Sequence, residues 1–259
     1  MRLKPNGAIL WQGASLLDGA PIVAIATGLN HSSTNRKTGA MIQTYILRSD
    51  ISPIDAVRTG ADASMCGNCP HRGARTPDGE WGHRTCYVNV GQGPLGVWRA
   101  FKRGRYPGLP DEALARLAAL ISTGAGRIVR LGTYGDPAAV PSVIWRNLVM
   151  KAKGHTGYTH QWRDAPSLVK LCMASVDTVA EALEAQALGW RTFRVDTSRA
   201  IGAQPGEVLC PASAEAGKKL TCEKCLACGG ADGRRGSIYI PAHGGFAVMA
   251  NLKHFGRQT

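Results

Sequence analysis

The chain has 259 residues, 44% of them hydrophobic, and carries 31 Lys and Arg against 18 Asp and Glu, a formal net charge of +13. A chain of this length buries a substantial core and needs no disulfide framework, which argues against a small secreted scaffold. It has no run of about 18 apolar residues and no signal-peptide pattern at its start, so we expect a cytoplasmic protein without a membrane segment. The excess positive charge predicts a nucleic-acid partner.

The first part of the chain, residues 1–62, predicts a β-rich segment. Ile22 to Ala26 and Thr44 to Leu47 have the pattern of strands, and the polar stretch 30–38 between them predicts a hairpin or surface loop. Two helices are predicted further along, Gly93 to Gly104 and Asp111 to Ser122, the second beginning directly after Pro110.

From residue 127 onward, short β-branched runs alternate with helical segments. The predicted strands are 127–131, 157–162 (the weakest), 168–174, 191–195, 207–209 and 237–240, and the predicted helices are 141–154 and 177–188. This alternation indicates parallel βαβ units, and their repetition predicts an α/β fold with a complete or partial (β/α) TIM-like barrel. We expect residues 63–259 to form this cysteine-bearing barrel-like domain, with residues 1–62 packed on it.

Polar residues follow several of the predicted strands, where barrel enzymes carry their functional groups. Asp136 and Asp196 are candidates for a general base or nucleophile, and His160 for a proton carrier. Asp177 also follows a strand, but we assign it as the N-cap of the next helix.

Basic residues along the chain are candidates for contacts with phosphate groups. Arg130 and Arg194 are expected near the mouth of the barrel, where they would hold a phosphate. The full candidate set is Arg99, Lys102, Arg103, Arg130, Arg163, Arg194, Arg234 and Arg235.

Four cysteines near the C-terminus have the spacing of metal ligands. Cys222, Cys225 and Cys228 form a C-x2-C-x2-C loop, and Cys210 upstream is available as a fourth ligand. Four thiolates suit zinc or a four-iron (4Fe-4S) cluster. An alternative set replaces Cys210 with His243, which would favour zinc.

A second group of cysteines, Cys66, Cys69 and Cys86, contains only three thiols. Three thiolates on a four-iron cluster leave one iron open for a substrate or nucleotide cofactor, whereas a fourth ligand from His71 or His83 would complete a structural zinc site. A third alternative brings cysteines of both groups to one centre. Cys172 lies in an apolar stretch and is expected to be a small buried residue.

Several motifs resemble the gene product 88 domain family of phage and plasmid proteins over roughly residues 64 to 244. They are Leu-Cys210-Pro-Ala-Ser, Lys-Lys-Leu-Thr-Cys222 with the following C-x2-C-x2-C loop, Ile-Tyr-Ile-Pro-Ala-His243-Gly, Arg-Leu-Gly-Thr-Tyr-Gly-Asp136, Gly-Tyr-Thr-His160 and Cys86-Tyr. The chain departs from that pattern at its first C-x2-C, which is followed by a long gap. The resemblance implies a mobile-element protein, working in the host cytoplasm if phage-encoded, and carries over no reaction.

The cysteine motifs also resemble, more distantly, those of two enzyme families. Cys86-Tyr87 in front of a βα series resembles radical S-adenosylmethionine enzymes, although their C-x3-C-x2-C spacing is absent. The C-terminal cysteines with His243 are similar to tRNA-guanine transglycosylases, in which zinc is structural and an Asp attacks the sugar. In that case Asp136 or Asp196 would be the nucleophile, yet the ligand spacing differs.

The function predicted from the sequence is a metal-binding barrel enzyme that acts on nucleic acid or a nucleotide by base modification or radical or redox chemistry. Its cofactor would be a 4Fe-4S cluster or zinc, with S-adenosylmethionine as a further candidate. The alternatives are a non-catalytic, zinc-stabilised nucleic-acid-binding protein and a transglycosylase-like base-exchange enzyme. The residues leave iron and zinc, DNA and RNA, and the oligomeric state open.

Overall fold

A mixed α/β fold is present in the computed structural model, which describes residues 5–75, 81–198, 201–217 and 220–243. In these ranges, twelve strands form two five-stranded sheets and a two-stranded ribbon. The strands are β1 (Gly7–Ala14), β2 (Pro21–Thr27), β3 (Ile42–Arg48), β4 (Ala74–Arg75), β5 (Trp81–Gly82), β6 (Ile128–Tyr134), β7 (Gly154–Thr156), β8 (Tyr158–Thr159), β9 (Met173–Val176), β10 (Thr192–Asp196), β11 (Glu207–Leu209) and β12 (Ser237–Pro241). The α/β class predicted from the sequence is confirmed.

Seven α-helices and four short 3-10 turns lie in the described ranges. The helices are α1 (Pro53–Thr59), α2 (Ala63–Cys66), α3 (Gly93–Lys102), α4 (Ala113–Gly124), α5 (Ser142–Val149), α6 (Val179–Ala187) and α7 (Cys222–Cys225), and the 3-10 turns are Pro70–Arg72, Pro137–Ala139, Pro166–Leu168 and Ala214–Ala216. None of these helices has the length and apolar character needed to cross a membrane.

The first sheet has the order β1-β2-β3-β6-β7. β1, β2 and β3 pair antiparallel, which confirms the predicted hairpin across the 30–38 stretch. β3 then pairs parallel with β6, so the N-terminal strands belong to the same sheet as β6 and β7. Ile22 to Ala26 of β2 are all buried, as expected for a strand covered on both faces.

The second sheet has the order β11-β12-β10-β9-β8, and all neighbouring strands in it are parallel. α6 connects β9 to β10, just as α5 connects β6 to β7 in the first sheet. These are the βαβ units that the alternating pattern predicts. Because parallel strands end on the same edge of their sheet, the residues after β8, β9 and β10 lie along one edge of the second sheet.

A single residue, Gly157, separates β7 from β8 and thereby joins the two sheets. A Cβ atom at Gly157 would lie 2.8 Å from Cys172 Sγ and 3.0 Å from the Leu171 carbonyl oxygen. The Gly157 N–H also donates to the Cys228 carbonyl oxygen at 3.0 Å. Close approach from both sides therefore requires glycine at this position.

The main core contains strands of both sheets together with the helices that cover them. Trp145, Trp162, Ile25 and Leu47 are among its fully buried side chains, and Cys172 is buried within it as predicted. A second, smaller apolar cluster contains two of the C-terminal cysteines. Its buried members are Met173, Cys210, Cys228, Ile238 and Ile240.

Some local predictions are wrong. The predicted strand 168–174 begins only at Met173, because Leu168 ends a 3-10 turn and residues 169–171 continue as turns. The strand predicted at 157–162 ends at Thr159. β1 and α1 were not predicted.

The N-cap of α6 is Thr178, not Asp177. The Thr178 side chain accepts a hydrogen bond from the Glu181 N–H at 3.1 Å, and the Glu181 carboxylate accepts one from the Thr178 N–H at 3.2 Å. This reciprocal pair is a capping box. It provides hydrogen-bond partners for N–H groups at the start of the helix without using the Asp177 carboxylate, which is left for another partner.

Candidate metal centres

Cys66 and Cys69 lie in the loop that follows α1, after the end of β3. Cys66 ends α2, and the Cys69 N–H donates to the Cys66 carbonyl oxygen at 3.2 Å, which closes a tight turn. Gly67 has φ of 59°, and a Cβ atom there would lie 2.5 Å from the Gln161 side chain. The turn that brings the two cysteines together thus depends on a glycine.

The buried side chain of Arg72 is hydrogen-bonded to several residues of this loop. Its guanidinium donates to Asp62 Oδ1 at 2.7 Å and to the carbonyl oxygens of Gly67 and Gly60 at 2.9 and 2.6 Å. The Arg72 and Asp62 side chains are 10% and 2% exposed. A buried, fully bonded ion pair of this kind fixes the loop on both sides of Cys66.

Cys86, further along the chain, is hydrogen-bonded to the same loop that contains Cys66 and Cys69. The N–H groups of Thr85 and Cys86 both donate to the His71 carbonyl oxygen, at 3.1 and 2.9 Å. The Arg84 guanidinium donates to the Cys86 carbonyl oxygen at 3.3 Å. The thiols of Cys66, Cys69 and Cys86 all interact electrostatically with one another, so the structure brings the three together as the first thiol group.

Burial raises the pKa of Cys66 and of Cys69 well above the usual range of a thiol. Asp62 and Cys86 raise it further for Cys66, and the other two thiols raise it further for Cys69. Without a bound cation, burial therefore favours the protonated form of Cys66 and Cys69. A bound cation would supply the positive charge that turns them into thiolates.

A His-Asp-His triad, His71, His160 and Asp177, lies beside the first thiol group. His71 Nε2 is 2.8 Å from Asp177 Oδ1, and His160 Nε2 is 3.8 Å from Asp177 Oδ2. The ring centroids of the two histidines are 5.5 Å apart. Within the described residues, this is the one set of three or more His, Cys, Asp or Glu ligand atoms that all lie within 4.8 Å of one another.

His71 and His83 were the candidates for a fourth ligand of the first thiol group. Both ring nitrogens of His71 have other partners, because Nδ1 lies 2.8 Å from Thr85 Oγ1 and Nε2 lies against Asp177. His83 is exposed, with φ of 56°. We therefore assign neither histidine to the three thiols.

Asp136 is buried, and its carboxylate accepts backbone hydrogen bonds from Ala138 at 2.9 Å and from His160 at 2.8 Å. Burial raises the pKa of Asp136 to about 6, against the lowering effect of these bonds and of the Thr159 hydroxyl. Burial also lowers the pKa of His160 to about 4, although Asp177 acts in the opposite direction. The backbone N–H of His160 therefore joins the residue after β8 to Asp136, and burial shifts the pKa values of the two side chains in opposite directions.

Asp196 lies apart from this pair in its contacts. Its carboxylate accepts from Ser198 Oγ at 2.7 Å and from the N–H groups of Ile201 and Gly202, both at 3.0 Å. It therefore shapes the loop that follows β10.

The four C-terminal cysteines form the second thiol group: Cys210, Cys222, Cys225 and Cys228. Every pair among them interacts electrostatically, which joins Cys210 to the C-x2-C-x2-C loop. All eight cysteines of the chain are free thiols. The structure holds the two thiol groups on different elements and does not merge them into one centre.

The 30–38 loop holds the second thiol group in place. The Cys222 and Glu223 N–H groups donate to the carbonyl oxygens of Lys37 and Thr38, both at 3.0 Å, and the Glu223 carboxylate accepts from the Ala40 N–H at 2.9 Å. The stretch predicted only as a hairpin or surface loop is thus the support for α7.

His243 does not join the second thiol group in the structure. Its Nε2 lies 2.9 Å from Lys37 Nζ, and its Nδ1 lies 3.0 Å from the Pro241 carbonyl oxygen. Lys37 in turn interacts electrostatically with Cys210 and Cys222. The four-cysteine set is the one that the fold assembles.

Cationic and phenolic groups surround the second thiol group. Burial raises the pKa of Cys228 to about 12, and a hydrogen bond from the Tyr158 hydroxyl partly offsets this rise. Burial also raises the pKa of Cys222, while Arg130 and Lys37 lower it. These neighbours favour the thiolate form.

Arg130 is 8% exposed, and its charge has no carboxylate partner within salt-bridge distance among the described residues. One guanidinium nitrogen donates to the Tyr87 hydroxyl at 3.0 Å, while Nε is buried without a partner. A buried cation of this kind needs an anion nearby. Arg130 interacts electrostatically with the thiol of Cys222.

The eight candidate phosphate-binding residues fall into different environments. Arg99, Lys102, Arg103 and Arg234 are exposed, whereas Arg163 and Arg235 pair with Glu184 and Asp232. Arg194 is fully buried and bonded to Glu207 at 2.6 and 2.9 Å. The predicted role of Arg194 at a phosphate is therefore wrong, since its charge is buried and already neutralised.

Sequence reasoning missed the pairing of Asp177 with His71. The signal was present in Thr178-x-x-Glu181, because a capping box at Thr178 makes a cap from Asp177 unnecessary. Nothing in the sequence indicated the partners Lys37 and Thr85. Comparison with known proteins adds no further guide, since no protein-family model, curated protein or solved structure matches this chain.

Proposed function

We propose that this chain is a two-centre iron-sulfur enzyme that acts on nucleic acid or a nucleotide. The first thiol group would hold a four-iron cluster with one iron left open for substrate or for a cofactor such as S-adenosylmethionine. The second thiol group would hold an auxiliary cluster with four protein ligands. A cluster of this type supplies single-electron chemistry, and the open iron supplies a binding position.

The observation that carries the proposal is the division of seven thiols into a three and a four. In the first group both ring nitrogens of His71 have other partners, and in the second group every pair of the four thiols interacts electrostatically. Thiolates on one tetrahedral zinc lie about 3.8 Å apart, given Zn–S bonds of about 2.3 Å. No three of the cysteine sulfurs, all in the described part of the chain, lie within 4.8 Å of one another, which favours a larger cluster over one zinc ion.

The fold supports the placement of chemistry at the first group. Cys66 follows β3, and the residues around it follow β6, β8 and β9, so they share the carboxyl edge of parallel strands. We propose that the two sheets together form the wall of a partial (β/α) barrel with its reactive end at this edge. Free thiol centres of this kind belong to a reducing cytoplasm, and the gene product 88 resemblance remains part of the proposal.

Metal analysis of protein purified without oxygen tests the proposal. We expect about eight iron atoms per chain, with sulfide and broad visible absorption, from two four-iron clusters. Cys66→Ser and Cys225→Ser should each remove about half of the iron, and Cys172→Ala, a change in the core cysteine, should remove none. Zinc without iron in a colourless sample would sink the iron proposal and favour the zinc-stabilised binding protein.

The nucleic-acid part rests on the exposed basic residues of and beside α3, Arg99, Lys102 and Arg103. Replacing all three with Gln should reduce the salt dependence of DNA binding, lowering the slope of log K against log salt by about 2 to 3. Arg163→Gln is the matched control, since Arg163 already pairs with Glu184. An unchanged slope in the triple variant would remove this face from the proposal.

A further inference from the structure

The His-Asp-His triad has the composition of a mononuclear metal site. Two imidazoles and one carboxylate form the facial triad that binds Fe(II), Mn(II) and related divalent ions with open positions left for other ligands. In this chain the three residues come from three separate elements: the Pro70–Arg72 turn, the end of β8 and the end of β9. They converge although His71 and Asp177 are 106 positions apart in sequence.

The distances fit an ion between the three side chains. Two atoms that bind one ion at about 2.1 Å lie about 3.0 to 3.4 Å apart, for angles between octahedral and tetrahedral. The two nitrogen-to-oxygen distances in the triad, 2.8 and 3.8 Å, bracket that range. Small rotations of the side chains would equalise them.

A second, independent observation points to a missing partner. His160 Nε2 is buried and makes no hydrogen bond, because 3.8 Å to Asp177 Oδ2 is too long for one. Buried polar atoms in proteins nearly always have a partner. This nitrogen faces the carboxylate of Asp177, at the point where the other two ligand atoms meet.

The surroundings hold each of the three residues in position. His71 Nδ1 lies 2.8 Å from Thr85 Oγ1, which leaves Nε2 for a metal when Nδ1 carries the proton. The His160 N–H donates to Asp136 Oδ2 at 2.8 Å, and the Asp177 N–H donates to Glu181 Oε2 at 2.9 Å. Such outer contacts are typical of residues that ligate metals.

We propose that His71 Nε2, His160 Nε2 and the Asp177 carboxylate bind one divalent transition-metal ion, distinct from any ion or cluster on the thiols. The site lies next to the first thiol group, since Asp177 interacts electrostatically with Cys69. The proposal stands whether the thiols hold iron or zinc. An ion there would present open positions at the same sheet edge as the first thiol group.

Mn(II) titration of the full-length protein, followed by electron paramagnetic resonance, tests this site. Mn(II) prefers nitrogen and oxygen ligands, so the thiols compete weakly for it. We expect one bound Mn(II) per chain, with hyperfine couplings from imidazole nitrogen. His160→Gln and Asp177→Asn should each weaken binding by about tenfold or more.

The controls separate this site from its neighbours. Asp164→Asn, an exposed carboxylate close in sequence to His160, should bind Mn(II) like the wild type. His160→Gln removes no hydrogen bond of the ring, so the variant should keep its fold, as circular dichroism would check. Cys66→Ser with Cys69→Ser should also retain Mn(II).

Three results would overturn the proposal. No Mn(II) bound to the wild type would reduce the triad to a hydrogen-bonded His71–Asp177 pair. Undiminished binding in folded His160→Gln would place the ion elsewhere. Loss of Mn(II) in the double cysteine variant, with its fold intact, would make the triad part of the thiol centre.

Discussion

The two thiol groups are built in opposite ways. The second takes its four cysteines from one stretch, residues 210–228, docked on the 30–38 loop. The first combines a C-x2-C turn with a cysteine brought in by hydrogen bonds to the His71 carbonyl oxygen. One group is formed mainly by local spacing and the other by long-range contacts.

Their electrostatic surroundings also differ in sign. Acidic side chains, Asp62 and Asp136, raise the pKa of the thiol at the first group, after the larger effect of burial. Lys37 and Arg130 lower the pKa of Cys222 at the second. Basic side chains thus offset the effect of burial at Cys222, whereas acidic side chains add to it at Cys66.

The largest expected effect comes from removing the ion pair that holds the first group. Arg72→Ala leaves Asp62 buried without its partner, so the free energy of unfolding should fall by about 3 to 5 kcal/mol. Metal should be lost from the first group and kept by the second. Urea unfolding with metal analysis measures both.

Arg58→Ala is the matched control for Arg72→Ala. Its pair with Asp55 is exposed, and its loss should cost less than about 1 kcal/mol. Equal metal loss from both groups in Arg72→Ala would contradict the idea that the two are built independently.

The second prediction concerns pH between about 4 and 6 in metal-free protein. Asp136 has a pKa of about 6 in the folded protein, raised from 3.8. Its stabilising contribution to the free energy of unfolding is therefore fully present below pH 3.8 and is lost as the pH rises toward 6. His160 has a lowered pKa, about 4 when folded, so its contribution is lost as pH falls from about 6.5 toward 4. Each amounts to about 3 kcal/mol and the two oppose each other.

Single substitutions should reveal the two opposed contributions. In Asp136→Asn the free energy of unfolding should rise with pH between 4 and 6, and in His160→Gln it should fall. The wild type and the exposed-site control Asp164→Asn should show a much flatter profile. Urea unfolding at several pH values, with a chelator present, measures the slope of the free energy of unfolding against pH. Equal slopes in all four proteins would refute the opposed contributions of Asp136 and His160.

A smaller effect is expected from Arg130→Met at the second group. Removing a buried, unpaired charge should raise the free energy of unfolding of metal-free protein by about 1 kcal/mol. In loaded protein the same change should lower metal occupancy of the second group and not of the first. A variant that is less stable without metal and equally loaded would show that Arg130 has no role as counter-charge.

The sequence predicted the parts of the fold that local patterns determine. The βαβ alternation, the hairpin over 30–38 and both sets of cysteines follow from spacing and periodicity, and the structure contains each of them. It also predicted that Asp136 and His160 follow strands, and they meet at one sheet edge.

Contacts between distant segments could not be predicted in this way. The predicted strand 168–174 begins too early because the residues of the turns before Met173 have the apolar composition of a buried strand. Arg194 looked like a surface cation because nothing local shows its pairing with Glu207. The His71–Asp177 contact spans 106 positions, so it follows from the fold alone.

The short segment from Gly157 to His160 lies between the second thiol group and the His-Asp-His triad. The Gly157 N–H bonds the Cys228 carbonyl oxygen at the second group, and three residues later the same backbone presents His160 to the triad. If the second thiol group and the triad each bind a ligand, and one ligand shifts this short segment, the affinity for the other ligand changes with it. Linkage then requires reciprocity: whatever factor the second centre imposes on affinity at the triad, the triad imposes in return.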